Sequence, residues 1–209
     1  MVLDRTRKLW DKQFGSVGDR RPLFDAVADA VEATSVLYPG SYVDLTPAFV
    51  WPEVTFLDVD RRARQFFADA EGVDELITEH DPRPGPHRVE FVHGDYTEPV
   101  DLPDESFDLL VSLYAGFVSE HCTRPLRIGG HLLVNSSHGD AAMASIDPRY
   151  LLAGAVTFGD GRARVVTDDL DRYLVPKQPV EVTAASLHER GRGIAYTTSP
   201  FAYLFRRVS

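Results

Sequence analysis

The chain has 209 residues, 44% of them hydrophobic and 26% charged, a composition that suits one globular domain with a full core. Its net charge of −10 argues against nucleic acid as the main partner, because phosphate binding draws on an excess of Lys and Arg. The one cysteine, Cys122, excludes an intrachain disulfide and a cysteine-rich zinc site and fits a reducing cytoplasm; no apolar run approaches the roughly 20 residues that span a bilayer, and residues 1–14 are too charged for a secretory signal.

Residues 4–14 and 20–33 read as two helices separated by the Gly15–Gly18 stretch. Leu23, Phe24, Val27, Ala30 and Val31 recur at helical spacing, which predicts a helix pair that covers a sheet edge or a cleft, or a lid over a substrate. Arg5, Arg7, Lys8, Arg20 and Arg21 read as a solvated face or as contacts for an anionic substrate. A first strand is expected over 35–38, stopped by Pro39 and Gly40. Thr46-Pro47 reads as the start of a short helix limited by Pro52. A second strand follows over 55–59, then a helix over 61–70 and a proline-rich loop over 81–87. A third strand spans 89–92, and the apolar run FDLLVSL over 107–113 reads as a strand buried on both faces. A helix is expected over 118–126, a turn at Gly129-Gly130 and a strand over 131–135.

Strands and helices alternate to this point, which predicts a parallel sheet covered on both sides. The last third changes character. Residues 150–158 and 162–167 flank Gly159-Asp160-Gly161 as a hairpin, 168–174 reads as helical, 180–184 as a strand, and 194–208 as the segment that contains the final strand, which carries Phe201, Tyr203, Leu204 and Phe205 with Pro200 near its start. With no repeats or linkers, the division expected is a helical extension over 1–33, a core over 34–140 and a β-rich part over 141–209, all in one domain.

A strand, a glycine turn and a carboxylate about 20 residues on is the logic of a nucleotide-type site in an open sheet. Val36–Leu37, Gly40 and Asp58, 18 residues after Gly40, carry it here. Further along come Gly94-Asp95, then Leu102-Pro103-Asp104-Glu105-Ser106-Phe107-Asp108, then Leu126-Arg127-Ile128-Gly129-Gly130. In this order and spacing, over roughly residues 34–140, the chain resembles the class I S-adenosylmethionine-dependent methyltransferases. The resemblance implies a three-layer α-β-α sandwich, with a seven-stranded, mostly parallel sheet and an antiparallel C-terminal strand. It also implies S-adenosylmethionine as cofactor. Asp58 takes the position that accepts from the ribose hydroxyls, with Asp60 as the register alternative; both acids could instead cap the next helix. Asp95 takes the position that accepts from the adenine amine, and Tyr96 lies against the base. Pro39, Gly40, Ser41 and Tyr42 form the cofactor turn, and Tyr114 and Ala115 border the methionine tail.

One departure stands out. The family pattern is acidic-x-Gly-x-Gly-x-Gly, whereas this chain has Tyr38-Pro39-Gly40-Ser41-Tyr42-Val43-Asp44. Tyr38 replaces the acid, and Asp44 is the carboxylate left to reach back for the cofactor's ammonium group. No Asn/Asp-Pro-Pro-aromatic motif follows the fourth strand, which disfavours methylation of DNA-base or glutamine amino groups. His138, in NSSHGD after the fifth strand, is the candidate general base, or else part of a polar capping loop. His93, His121, His131 and His138 lack a compact ligand spacing, and Asp168, Asp169 and Asp171 lack a calcium-loop arrangement, so no metal is expected. The function expected is methyl transfer to a small molecule, without nucleic-acid or membrane partners. The alternative is a domain of this type that has lost catalysis or cofactor binding and serves as a binding module.

Overall fold

The computed structural model describes residues 2–81 and 85–209. Eight strands form one sheet in the order β3-β2-β1-β4-β5-β8-β6-β7. These are β1 (Ser35–Pro39), β2 (Glu53–Asp58), β3 (Arg88–His93), β4 (Phe107–Ser112), β5 (Leu126–Val134), β6 (Tyr150–Gly159), β7 (Arg162–Val166) and β8 (Ala202–Arg207). The first five run parallel, while β8 is antiparallel to both β5 and β6. The mostly parallel sheet with an antiparallel C-terminal strand is therefore present. It has eight strands rather than seven because the hairpin returns as β7 and pairs along β6 at the sheet's edge. Asp160 and Gly161 both have positive φ, 52° and 73°, the backbone of a two-residue turn matched to strand twist.

Alternation along each strand sorts the core into two layers. Val36, Tyr38, Phe56, Leu109, Val111 and Leu133 face one side with Trp10, Phe24, Val27, Phe66 and Leu76. Leu37, Leu57, Leu110, Leu132, Tyr203 and Phe205 face the other with Val118, Ala141 and Leu187. Each such side chain, fully buried, contributes about 1.5–3 kcal/mol.

On the first side lie α1 (Asp4–Val17), α2 (Arg21–Ala30), α3 (Arg61–Phe67) and α4 (Ala70–His80). Gly15 stays inside α1, and the chain breaks at Gly18, where φ is 73°. α1 packs on α3 and α4, and α2 packs across β6 and β7. α4 has no counterpart in the sequence expectation; Asp69 caps it, accepting from Gly72 N at 3.2 Å and from Thr6 Oγ1 at 2.6 Å, which ties α1 to its start. The link from β1 to β2 carries only a 3₁₀ turn at Thr46–Phe49. The loop expected over 81–87 lies partly outside the described residues.

On the second side lie α5 (Val118–His121), α6 (Asp140–Ile146) and α7 (Ala184–Arg190). α5 ends after four residues because the chain re-enters the sheet at Leu126, well before the expected Gly129-Gly130 turn. Those glycines fall inside β5, where the register against β4 shifts between Phe107 and Leu109. The strand expected over 180–184 is absent: Thr183 is the N-cap of α7, exchanging hydrogen bonds with Ser186 in a capping box. The 168–174 segment holds a 3₁₀ turn at Leu170–Leu174. Among the described residues, no helix is long and apolar enough to cross a membrane.

Candidate functional site

The carboxyl ends of β1, β2, β3 and β4 meet at one edge of the sheet, the edge where ligands sit in open α/β folds. Gly40 has φ 66°, and a Cβ there would stand 2.5 Å from Ala115 Cβ. The turns after β1 and β4 thus touch, and only glycine permits it. Two steps on, Tyr42 also has positive φ (51°), as does Tyr114 after β4 (63°). Aromatic side chains rarely adopt this backbone, and both tyrosines lie at the same edge.

Asp58 holds the first turn. Its Oδ2 accepts Tyr42 N at 2.6 Å, and its Oδ1 accepts Asp60 N at 2.7 Å. Asp58 is buried at the end of β2, while Asp60 caps α3 by accepting Arg62 N at 2.7 Å. Arg62 pairs with Asp60 and lies 5.1 Å from the centre of the Tyr42 ring. The two acids divide the roles left open in the sequence: Asp60 caps the helix, and Asp58 anchors the turn.

Asp95 is exposed at the end of β3 and accepts from Thr97 N (2.9 Å) and Thr97 Oγ1 (2.7 Å), which hold its carboxyl below the usual range. Tyr96, next to it, is half-buried, and its hydroxyl donates to Ala115 O. Its ring edge comes 4.0 Å from the Cβ position of Gly40, and its hydroxyl 2.7 Å from that of Gly116. Tyr96 therefore lies across the turns that follow β1 and β4. Burial pushes its hydroxyl up to about 12.

A cavity of about 500 Å³ opens on this edge, between the α1–α2 junction and the sheet. Gln13, Ser16, Val17 and Arg20 line its helical side; Tyr38, Gly40, Ser41, Tyr42, Leu113, Tyr114 and Phe201 line the rest. Of the residues read from the sequence, Gly40, Ser41, Tyr42 and Tyr114 reach it. Pro39, Asp58, Asp95, Tyr96 and Ala115 are outside its lining: Pro39 is the last residue of β1, beside Leu57, and Asp58 and Ala115 act by shaping the turns.

Arg20 is the residue the sequence left undecided between a solvated face and substrate contact. Its side chain is 11% exposed, and Nη1 donates to Asp44 Oδ2 at 2.6 Å and to Tyr38 Oη at 3.1 Å. Burial opposes its charge, but Tyr38, Asp44 and Tyr114 outweigh that and raise its pKa. The guanidinium carbon sits 5.3 Å from the Tyr114 ring centre. Asp44 does not reach back into the cavity. It is 1% exposed, with Oδ2 held by Arg20 and Tyr38 and Oδ1 by Thr46 N (3.2 Å) and Thr46 Oγ1 (2.6 Å). A buried Tyr38–Asp44–Arg20 cluster thus stands where the sequence resemblance places an acid, and Arg20 lines the cavity. The available signal was the Arg20-Arg21 pair just past a helix break together with Tyr38 in a strand.

His138 is exposed and lies outside the cavity lining. Its Nδ1 is 2.8 Å from Ser137 Oγ, which donates to Asn135 Oδ1 at 2.9 Å; Asn135 Oδ1 also accepts Tyr114 N at 3.3 Å. This chain assigns the neutral imidazole proton to Nδ1 and leaves Nε2 as the basic nitrogen. Two residues on, Asp140 is buried and accepts from Ser112 Oγ and Ser119 Oγ, each at 2.5 Å. Burial raises its pKa to about 6. Cys122, also buried, has its thiol pushed up to about 12.

Two solved structures match over nearly the whole chain. One, assigned as an S-adenosyl-L-methionine-dependent methyltransferase from Methanococcus maripaludis, is 14% identical, covering 98% of this chain and 92% of that one with a TM-score of 0.55. The other is the complex of the Haloferax volcanii Trm112 methyltransferase activator with a protein assigned as a methyltransferase: 14% identity, 100% and 98% coverage, TM-score 0.52. The match to the YcgJ protein of Bacillus subtilis is shorter, covering 60% of this chain and 55% of that one at 18% identity and a TM-score of 0.40. No family model and no curated protein matches the sequence. The strand order and these two full-length likenesses define the fold: it is the Rossmann-like fold of class I methyltransferases.

Proposed function

We propose that the protein is an S-adenosylmethionine-dependent methyltransferase that acts on a small molecule. The observation that carries this is the cavity at the carboxyl edge of β1 and β4, in a fold whose ligands bind at that edge. Asp58 retains a second lone pair on each oxygen for ribose hydroxyls, and the exposed Asp95 is free to accept from an exocyclic amine. The cofactor would supply a methyl group on a positively charged sulfur. The chain's part is to align the acceptor and keep water out, with Tyr42, Tyr114 and Phe201 as walls. The net charge of −10 and the single buried cysteine favour a cytoplasmic small-molecule role over nucleic acid.

A second reading is a binding module of this fold without methyl transfer. The Arg20–Asp44 pair and the touching β1 and β4 turns favour it. Titration with S-adenosylmethionine and S-adenosylhomocysteine, followed by calorimetry and thermal shift, separates the two. Ligand at about 100 times its Kd raises stability by about 2.7 kcal/mol. Silence from both ligands at millimolar concentration sinks the enzyme reading. Binding that survives Asp58→Ala sinks the cofactor geometry.

A further inference from the structure

The geometry points to a cavity that recognises its ligand's tail through a carboxylate and gives no recognition to an ammonium group. This deepens the reading above: it takes the same cavity as the cofactor site and specifies the chemistry of one end. Arg20 is the one charged residue on the lining among the described residues. Its counterion Asp44 stands behind it, 1% exposed, with both oxygens engaged by Arg20, Tyr38 and Thr46. Asp19, the next acid along the chain, is exposed, accepts Arg21 N at 2.8 Å and is outside the lining.

An ammonium placed here meets a guanidinium and neutral hydroxyls, with no carboxylate to pair it. A carboxylate meets a planar fork. Both hydrogen bonds that the Arg20 side chain makes among the described residues come from Nη1. Nε and Nη2 make no hydrogen bond to the described residues and are not fully buried, and Arg20 lines the cavity. The fork is also held in place: Nη1 is fixed by Asp44 and Tyr38, and the Tyr114 ring flanks the guanidinium carbon at 5.3 Å. A pre-positioned arginine loses little side-chain freedom on binding, and its bonds to carboxylate are charge-assisted. Tyr38 sharpens the selection. Burial raises its pKa, so it stays a neutral phenol and supplies no negative charge to an ammonium.

The test uses four adenosine 5′-thioethers that differ only in the tail: one with both amine and carboxylate (S-adenosylhomocysteine), one with carboxylate alone, one with amine alone, and the tailless 5′-methylthioadenosine. Calorimetry on the full chain gives the four dissociation constants. The expected order is carboxylate alone at least as tight as the zwitterion, both tighter than the tailless compound by about tenfold, and amine alone weakest. Arg20→Gln combined with Asp44→Asn removes both charges while keeping polar groups in place, and it should collapse the difference between the carboxylate and amine compounds. Arg20→Lys should reduce the preference for carboxylate without reversing it. Equal affinities, or tighter binding of the amine compound, overturn the inference while leaving the cofactor site standing. A double variant that keeps the wild-type order overturns the role of Arg20. If none of the four binds, the cofactor reading falls, and this inference falls with it.

Discussion

Arg20 Nη1 lies 2.6 Å from Asp44 Oδ2, and the two side chains are 11% and 1% exposed. The pair joins the α1–α2 junction to the β1–β2 link, so two stretches that carry no α-helix are locked by one ion pair. Removing one partner leaves a buried charge unpaired. Asp44→Ala is expected to destabilise the fold by about 3–5 kcal/mol, measured by urea unfolding. The double variant Arg20→Gln/Asp44→Asn should lose less than the sum of the singles. Additive losses would show that the pair is uncoupled.

Asp140 makes stability depend on pH in an unusual direction. Its folded pKa of about 6 lies above the ordinary 3.8, because burial outweighs its bonds to Ser112 and Ser119. A raised carboxyl favours the folded state fully below pH 4 and loses that contribution as pH rises through about 6. The shift is worth about 3 kcal/mol. The stability of the wild type relative to Asp140→Asn should therefore fall by about that amount between pH 4 and 7.5. A difference that stays flat across this range removes Asp140 as the source.

Gly40 and Gly159 make a matched pair of substitutions. Gly40 has φ 66° and meets Ala115 Cβ at 2.5 Å, whereas Gly159 has no atom within 4 Å and no positive φ. Gly40→Ala should cost about 2 kcal/mol or more, and Gly159→Ala should stay within about 0.5 kcal/mol. Comparable melting temperatures for the two variants would contradict the contact between the β1 and β4 turns.

Tyr96→Phe deletes the hydroxyl that reaches Ala115 O across the sheet edge. A loss of about 1 kcal/mol is expected, with faster amide exchange at 114–117 than in the wild type. Unchanged exchange there would mean that the hydroxyl does not hold the β4 turn.

Much of the fold was legible in the sequence because its signals are local. Apolar runs such as FDLLVSL mark buried strands, Asp160-Gly161 marks a tight hairpin, and the glycine-to-Asp58 spacing marks the first β-link-β unit. Local signals also misled where two elements competed for the same residues. Thr183 and Ser186 made a capping box out of a segment with strand-like composition. Leu126 was drawn into β5 by pairing with β4, which ended α5 after one turn.

The candidate site divides along the same line. The sequence by itself determined the succession of the core strands along the chain and the two carboxylates Asp58 and Asp95 at strand ends, since these follow from residue type and spacing; that Tyr38 stands where an acid is expected follows from the family resemblance. Only the tertiary structure decided what fills the gap. Arg20 stands 24 positions from Asp44, and no periodicity relates a helix junction to a turn after a strand. Packing of α2 against the 3₁₀ turn at Thr46–Phe49, just after Asp44, brings the two together. Burial then selects their ion pair, because neither charge is stable alone at that depth.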